Sequence, residues 1–404
     1  MEYVQERIAT LHDLAADVPG PGSDGPASAV DAAAARLGEA AIVVPMTDRE
    51  YEHPAAARVL SELESVDPAA VYLPIRSPPD RLEPFREWLE SYDLPTRVLW
   101  CNAPGVDALL EEAGLAGPHG KGRDVWLALG PAAAAGEYVV VHDADASSYE
   151  VDHVHRLLAP LTMELGYDFV KGYYARVERG RLYGRLCRLF YEPLIETLAV
   201  SHDADVLAYL GAFRYALAGE FAATADLVQQ LRVPRSWGLE VGTLGDAFDH
   251  AGFSGTAQVD LGRHVHDHRT VAGEAGLEGM SREVAAELLR VLEARGVDPD
   301  YETLPDRFRE TGERLIAQYR ADAAFNGLSY DVDDERDQLE RYAAAIEPPG
   351  DVVGSDGEGG VDDAGGRGPG ERLPPWADAP IDPGAVLEAA QPWRDDRLET
   401  RTQD

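Results

Sequence analysis

The chain lacks most of what would tie it to a membrane, an oxidising compartment or a nucleic acid. No apolar run approaches the roughly 18–20 residues that a membrane span needs. The N-terminal stretch MEYVQERIATLHDLAADVPG has no basic n-region and no cleavable apolar core, so secretion is not expected and the cytoplasm is. Cysteine is scarce. Cys101 and Cys187 are the two in 404 residues, too few for a disulfide framework, and both are expected to be reduced thiols. There is no internal repeat and no GxxxxGK[ST] phosphate loop. Lysine is nearly missing as well: of 36 basic residues, two are lysine, Lys121 and Lys171.

Acid is plentiful. With 73 Asp and Glu the net charge is −37, which disfavours nucleic acids and anionic membranes as partners. Arginine in place of lysine, abundant alanine and this acidity make the composition of a halophile's cytosolic protein, with most of the acid a solvated surface. At 45% hydrophobic the chain can bury one large core or two smaller ones.

Apolar periodicity sets the expected elements. Val4, Ile8, Leu11 and Leu14 fall at helical spacing, so residues 3–14 read as a docking helix, followed by a Pro/Gly/Ser linker over 18–27. Strands are expected at 41–44, 71–75, 97–101 and 138–142. Helices are expected at 54–66, 80–92 and 122–135 between them. That alternation argues for an α/β fold with a mainly parallel sheet and helices on both faces. Further helices are expected at 281–295, with Ser281 as N-cap and Gly296 as stop, and at 305–325. From Pro348 to about Arg372 the Gly/Asp/Pro-rich sequence reads as disordered. Trp376 and Trp393 follow and offer local docking. The expected organisation is an N-terminal helix and linker (1–40), a catalytic domain (41–275), a helical region (276–346) and a flexible tail (347–404).

Five constellations carry candidate chemistry. The strand at 138–142 runs into Asp143 and Asp145, which at i and i+2 face one way in an extended segment. In open α/β sheets ligands bind at the carboxyl ends of strands, and paired carboxylates there suit a magnesium ion that also takes phosphate oxygens. An Asx-turn or helix N-cap leading to Ser147 and Ser148 is the competing reading. His264, His266 and His268 alternate and would share a face if extended, as metal ligands or as a solvated loop. Residues 171–188 hold six basic side chains (Lys171, Arg176, Arg179, Arg181, Arg185 and Arg188) against Glu178 alone. Such a cationic island must pair with nearby acids or receive an anionic ligand, for which arginine's bidentate fork is suited. Gly120-Lys121-Gly122 lets an ammonium approach a ligand closely. Glu240, between apolar residues and glycines, suits a pocket wall or a plain helix start.

The order of these motifs resembles the glucosyl-3-phosphoglycerate synthase family of retaining glycosyltransferases from about Ile42 to Asp298. The matching pieces are VVPMTDRE (43–50), GKG (120–122), HDAD (142–145), VKGYYAR (170–176), GRLCRLFYEPL (184–194), LAGEFAA (217–223), GLEVGTLGDAF (238–248), and QVDLG (258–262) through His266 to Arg269. The resemblance implies a GT-A, Rossmann-like nucleotide-sugar fold and suggests a homodimer. It implies Pro45 and Thr47 in the nucleotide site, Asp143 on ribose or sugar hydroxyls, and Lys121 on the donor. Asp145 and His266 would hold Mg2+ or Mn2+. Gly184, Arg185 and the residue at Cys187 would bind a phosphorylated acceptor, and Glu240 would sit beside the sugar. Three positions depart from the family pattern. Arg49 stands for an acidic residue, Pro74–Ser77 (PIRS) for Asp-x-Gly-Ser, and Cys187 for a threonine. They leave the donor base open between UDP and GDP, and leave open a different acceptor (a lipid phosphate or a glycan) or a catalytically silent sugar-nucleotide binder.

Overall fold

The computed structural model describes residues 7–11, 33–235, 237–265, 274–349 and 372–394. Its strands are β1 (Ala9–Leu11), β2 (Ala40–Val43), β3 (Met46–Thr47), β4 (Ala70–Arg76), β5 (Thr96–Trp100), β6 (Tyr138–Val141), β7 (Phe169–Ala175), β8 (Val177–Glu178), β9 (Arg181–Leu182), β10 (Phe221–Thr224), β11 (Val233–Pro234), β12 (Thr256–Arg263) and β13 (Arg372–Leu373). Nine of these build one sheet in the order β1-β12-β7-β10-β6-β2-β4-β3, with β5 on β4. Within that sheet β10 alone runs antiparallel to its neighbours β6 and β7. The central strands are unbroken apolar runs, buried along Ala40–Val43, Ala70–Ile75 and Tyr138–Val141, as a sheet covered on both faces requires.

The expected helices over the first half are found as Pro54–Leu63, Pro79–Glu90 and Lys121–Ala135. Two of them open on proline, whose missing N–H is no loss in a first turn. The expectation at 3–14 is corrected. Within the described part of that stretch, Ala9–Leu11 is a strand, paired in parallel with Ala257–Val259. The apolar spacing fits a helix, but the open edge of β12 offers backbone partners that three residues satisfy at once. Ser281 is also not a cap: the helix begins upstream at Glu274, runs to Glu293, and holds Ser281 buried inside it. The Leu304–Phe325 helix meets its expectation, and it packs against Val332–Ala343 and Glu192–Ala199.

Residues 372–394, assigned from sequence largely to a flexible tail, instead return to the catalytic domain. β13 pairs antiparallel with β11, and the Trp376 ring stacks on Trp126 at 4.4 Å. The Trp376 indole N–H donates to the Trp126 carbonyl, and that of Trp126 donates to the Pro374 carbonyl. The short Pro383–Ala389 helix lies on the Lys121–Ala135 and Pro104–Glu112 helices, so this strap buttresses the element that carries Lys121. Among the described residues, no helix is long and apolar enough to cross a membrane.

Candidate active site

Parallel strands β2, β4, β6, β7 and β12 all point their carboxyl ends to one edge of the sheet, and the site forms there. From β6 the chain continues into His142, Asp143, Ala144 and Asp145. Two helix N-termini converge on this edge. Lys121 is the first residue of its helix, and Glu240 lies in the first turn of Leu239–His250. The Lys121 ammonium is 2.7 Å from Asp143 Oδ1 and 3.2 Å from Glu240 Oε1. Burial works against the ammonium, but Asp143 and then Glu240 outweigh it and hold its pKa above the ordinary lysine value. Three residues singled out from sequence are thus one ion-paired triangle.

The reversed direction of β10 adds Glu220, to which sequence reading assigned no role, and sets it near Lys171, which that reading counted only in the cationic island. Because Phe221 sits opposite both Val141 and Lys171, the residues before β10 arrive at the same edge. Gly219 is the point of closest approach: a Cβ there would stand 2.1 Å from Asp143 Oδ2. Glu220 follows, buried, and burial and then the Asp143 carboxylate push its pKa up. Lys171 is buried as well and donates to the Ala218 carbonyl at 2.5 Å. Desolvation brings it down to about 8, against the pull of Glu240 and Glu220. The signal for both was available: Lys171 is one of the two lysines, and Glu220 is a carboxylate locked between glycine and apolar residues.

Pro45 and Thr47 lie beyond the carboxyl end of β2, where the resemblance puts the nucleotide. Glu50 accepts from the Thr47 amide at 2.6 Å and hydroxyl at 2.8 Å. Burial raises the Glu50 pKa, Thr47 opposes this, and Asp145 adds to the rise. The same Asp145 charge contributes to the upward shift of Glu220. Excess negative charge thus gathers round Asp145, on hard oxygen donors, and this is the setting that a divalent cation relieves. Among the described residues no group of three or more His, Cys, Asp or Glu is arranged to hold a metal. The other ligand named from sequence, His266, lies outside the described residues with His268. His264 does not share a solvated face. It is buried and stacks on Tyr174 at 4.1 Å.

The segment that departs from the family pattern is firmly held. The Ser77 amide donates to Asn102 Oδ1, and Asn102 Nδ2 and the Trp100 indole both donate to the Ser77 carbonyl. Arg76 comes within 3.6 Å of Asp124, a buried acid that burial pushes up to about 6 while Arg76 and Arg123 resist.

The cationic island resolves largely into internal pairing, with acids far along the chain. Arg188 reaches Glu335 at 2.9 Å and lies over the Tyr319 ring. Arg185 pairs with Asp334 and, at 2.7 Å, with Glu335. Gly184 takes φ +78°, and a Cβ there would meet the Tyr215 hydroxyl at 2.7 Å. Cys187 is the third residue that the resemblance puts at the acceptor. It is buried in a π-helical turn, Cys187–Tyr191, and desolvation drives its thiol pKa up. Both cysteines are buried and unbonded.

No protein-family model matches the chain. The glucosyl-3-phosphoglycerate synthase of Methanococcoides burtonii is 32% identical over 375 residues, which span 87% of this chain and 89% of that protein. The chain belongs to the glucosyl-3-phosphoglycerate synthase family. The Persephonella marina member is also 32% identical, over 76% of this chain and 79% of its own. A solved structure of the Mycobacterium tuberculosis glucosyl-3-phosphoglycerate synthase, in complex with Mn2+, UDP-glucose and phosphoglyceric acid, aligns with a TM-score of 0.51 at 27% identity. The match covers 72% of this chain and 89% of that one, so the sheet is that of the GT-A fold.

Proposed function

We propose that this chain transfers glucose from a nucleotide diphosphate glucose to 3-phosphoglycerate, with retention of configuration, at the carboxyl edge of its sheet. Family membership supports the reaction. The observation that supports the place is the Asp143–Lys121–Glu240 triangle, in which a half-buried cation sits between two carboxylates within the family's motifs.

Each residue's part follows from its chemistry. Pro45 and Thr47 line the nucleotide, and Glu50 holds the Thr47 turn in shape. Asp145 and His266 would hold Mg2+ or Mn2+, which would supply positive charge to the departing diphosphate. Lys121 exchanges part of its pairing with Asp143 for the diphosphate as charge develops there, a term worth most in a water-poor site. Asp143 then accepts from ribose or sugar hydroxyls. Glu240 stabilises the oxocarbenium-like sugar or orients the acceptor hydroxyl for attack on the same face, without forming a covalent bond. Gly184 and Arg185 take the acceptor's phosphate or carboxylate, and Lys171 with Glu220 braces the floor. The composition supports a cytoplasmic, high-salt setting. A homodimer is to be checked by light scattering.

The test is a donor-by-acceptor matrix. UDP-glucose and GDP-glucose are each incubated with 3-phosphoglycerate, glycerol 3-phosphate or no acceptor, with Mg2+, Mn2+ or chelator. Metal-dependent formation of an α-glucoside of 3-phosphoglycerate by NMR is expected with at least one donor. Transfer to no acceptor would overturn the synthase reading.

A further inference from the structure

The arginine proposed for the acceptor already holds two carboxylates, and they are not equivalent. Both come from the Val332–Ala343 helix, about 150 residues further along the chain. Glu335 is nearly enclosed, its side chain 4% exposed, and it spends both oxygens: Oε1 accepts from Arg185 Nε at 2.7 Å and Oε2 from Arg188 Nη1 at 2.9 Å. Arg188 is itself fixed by the Tyr183 carbonyl at 3.1 Å and by the Tyr319 ring at 4.9 Å. Withdrawing Glu335 would take its carboxylate from Arg188 and leave Arg185 with Asp334. Asp334 is different. It is 56% exposed and binds only the outer edge of Arg185, through Nη2, at a point where the Arg185 side chain is still 35% open.

The geometry points to Asp334 as an internal stand-in for the acceptor's anionic group. Its carboxylate occupies the outer edge of Arg185, and the phosphate or carboxylate of 3-phosphoglycerate displaces it. Glu335 is then a positioning residue that holds the guanidinium plane, and Asp334 a competitor that sets acceptor affinity. Both groups want the same N–H donors, and an oxyanion at Arg185 with Asp334 still in place would face like charge at hydrogen-bond range. A half-exposed ion pair is weak enough to be exchanged for a dianion.

This rests on Arg185 binding the acceptor, so the experiment carries both variants. Asp334→Asn is expected to lower the KM for 3-phosphoglycerate about three- to fivefold at low ionic strength, with kcat and donor KM unchanged. The gain should shrink as KCl rises, because salt screens the competitor. Asp334→Glu, which keeps the charge, should behave as the parent. Arg185→Ala separates the two readings. If it leaves the acceptor KM unchanged, the acceptor role of Arg185 fails and the inference falls with it. If it raises that KM while Asp334→Asn leaves it unchanged or raises it, the competitor role alone is overturned.

Discussion

The two charged regions of this protein are built on opposite terms. On the donor side Lys121, Lys171, Asp143, Glu220 and Glu240 are gathered at the carboxyl edge of one sheet, from strand ends and helix starts spread over 120 residues. Lys171 and Glu220 are buried there, and the pKa values of Lys171, Glu220 and Glu50 are all moved mainly by burial. On the acceptor side Arg185 meets a helix outside the sheet, and one of its two partners is open to water. Charges taken out of water are costly to unpair, whereas charges at a rim exchange readily. The first arrangement preorganises a site; the second leaves room for a ligand to replace a protein group.

Mutations can break this contrast. Asp145→Ala should have the largest effect, removing metal-dependent turnover by about a thousandfold or more while the circular dichroism spectrum stays native. Activity within tenfold of the parent would disprove the metal role. Lys121→Ala should lower kcat about 100- to 1000-fold, since Asp143 and Glu240 then face the diphosphate with no cation between them. On the acceptor side the contrast recurs at smaller scale. Glu335→Ala takes its carboxylate from Arg188, leaves Arg185 with Asp334, and should destabilise by about 3 kcal/mol in urea unfolding; a loss below about 1 kcal/mol would show that the pair is not effectively buried. Arg185→Ala should raise the acceptor KM about tenfold and leave the donor KM alone, and equal effects on both would make the island structural.

A separate effect is a pH dependence of stability. His142 is fully buried and burial lowers its pKa to about 3; His153, lowered mainly by burial, falls to about 4. Both are therefore neutral when folded and take up protons on unfolding below pH 6.5. The unfolded chain binds more protons in the window from about 6.5 down to 3–4, so stability is full above it and falls with pH inside it. Each histidine should withdraw roughly 1.4 kcal/mol per pH unit. Melting temperatures from pH 7 to pH 5 should fall, and fall less in His153→Gln.

Much of the candidate site was legible because strand ends and helix starts leave local marks. Asp143 and Asp145 follow an apolar run, Lys121 sits between glycines, and each marks a site without knowledge of its partners. Glu220 was missed because nothing near it says that β10 runs backwards. Direction within a sheet is set by which strand ends must meet, not by residues 217–224. The helix read at 3–14 failed for the same reason at 9–11, where an open edge on β12 outweighed apolar spacing. The acids that neutralise Arg185 and Arg188 lie about 150 residues away, so a charge count over 171–188 saw an unpaired island.

The sequence by itself determined the α/β class, the acidic composition, the family and the candidacy of Lys121, Asp143, Asp145 and Glu240. These follow from patterns confined to a few residues each. Tertiary structure alone decided that Lys171 and Glu220 join them, that residues 372–394 strap the Lys121 helix, and that Arg185 carries Asp334 and Glu335. Each of these depends on groups far apart in the chain meeting in space. The energies that fix them, burial and ion pairing, exist only once they have met.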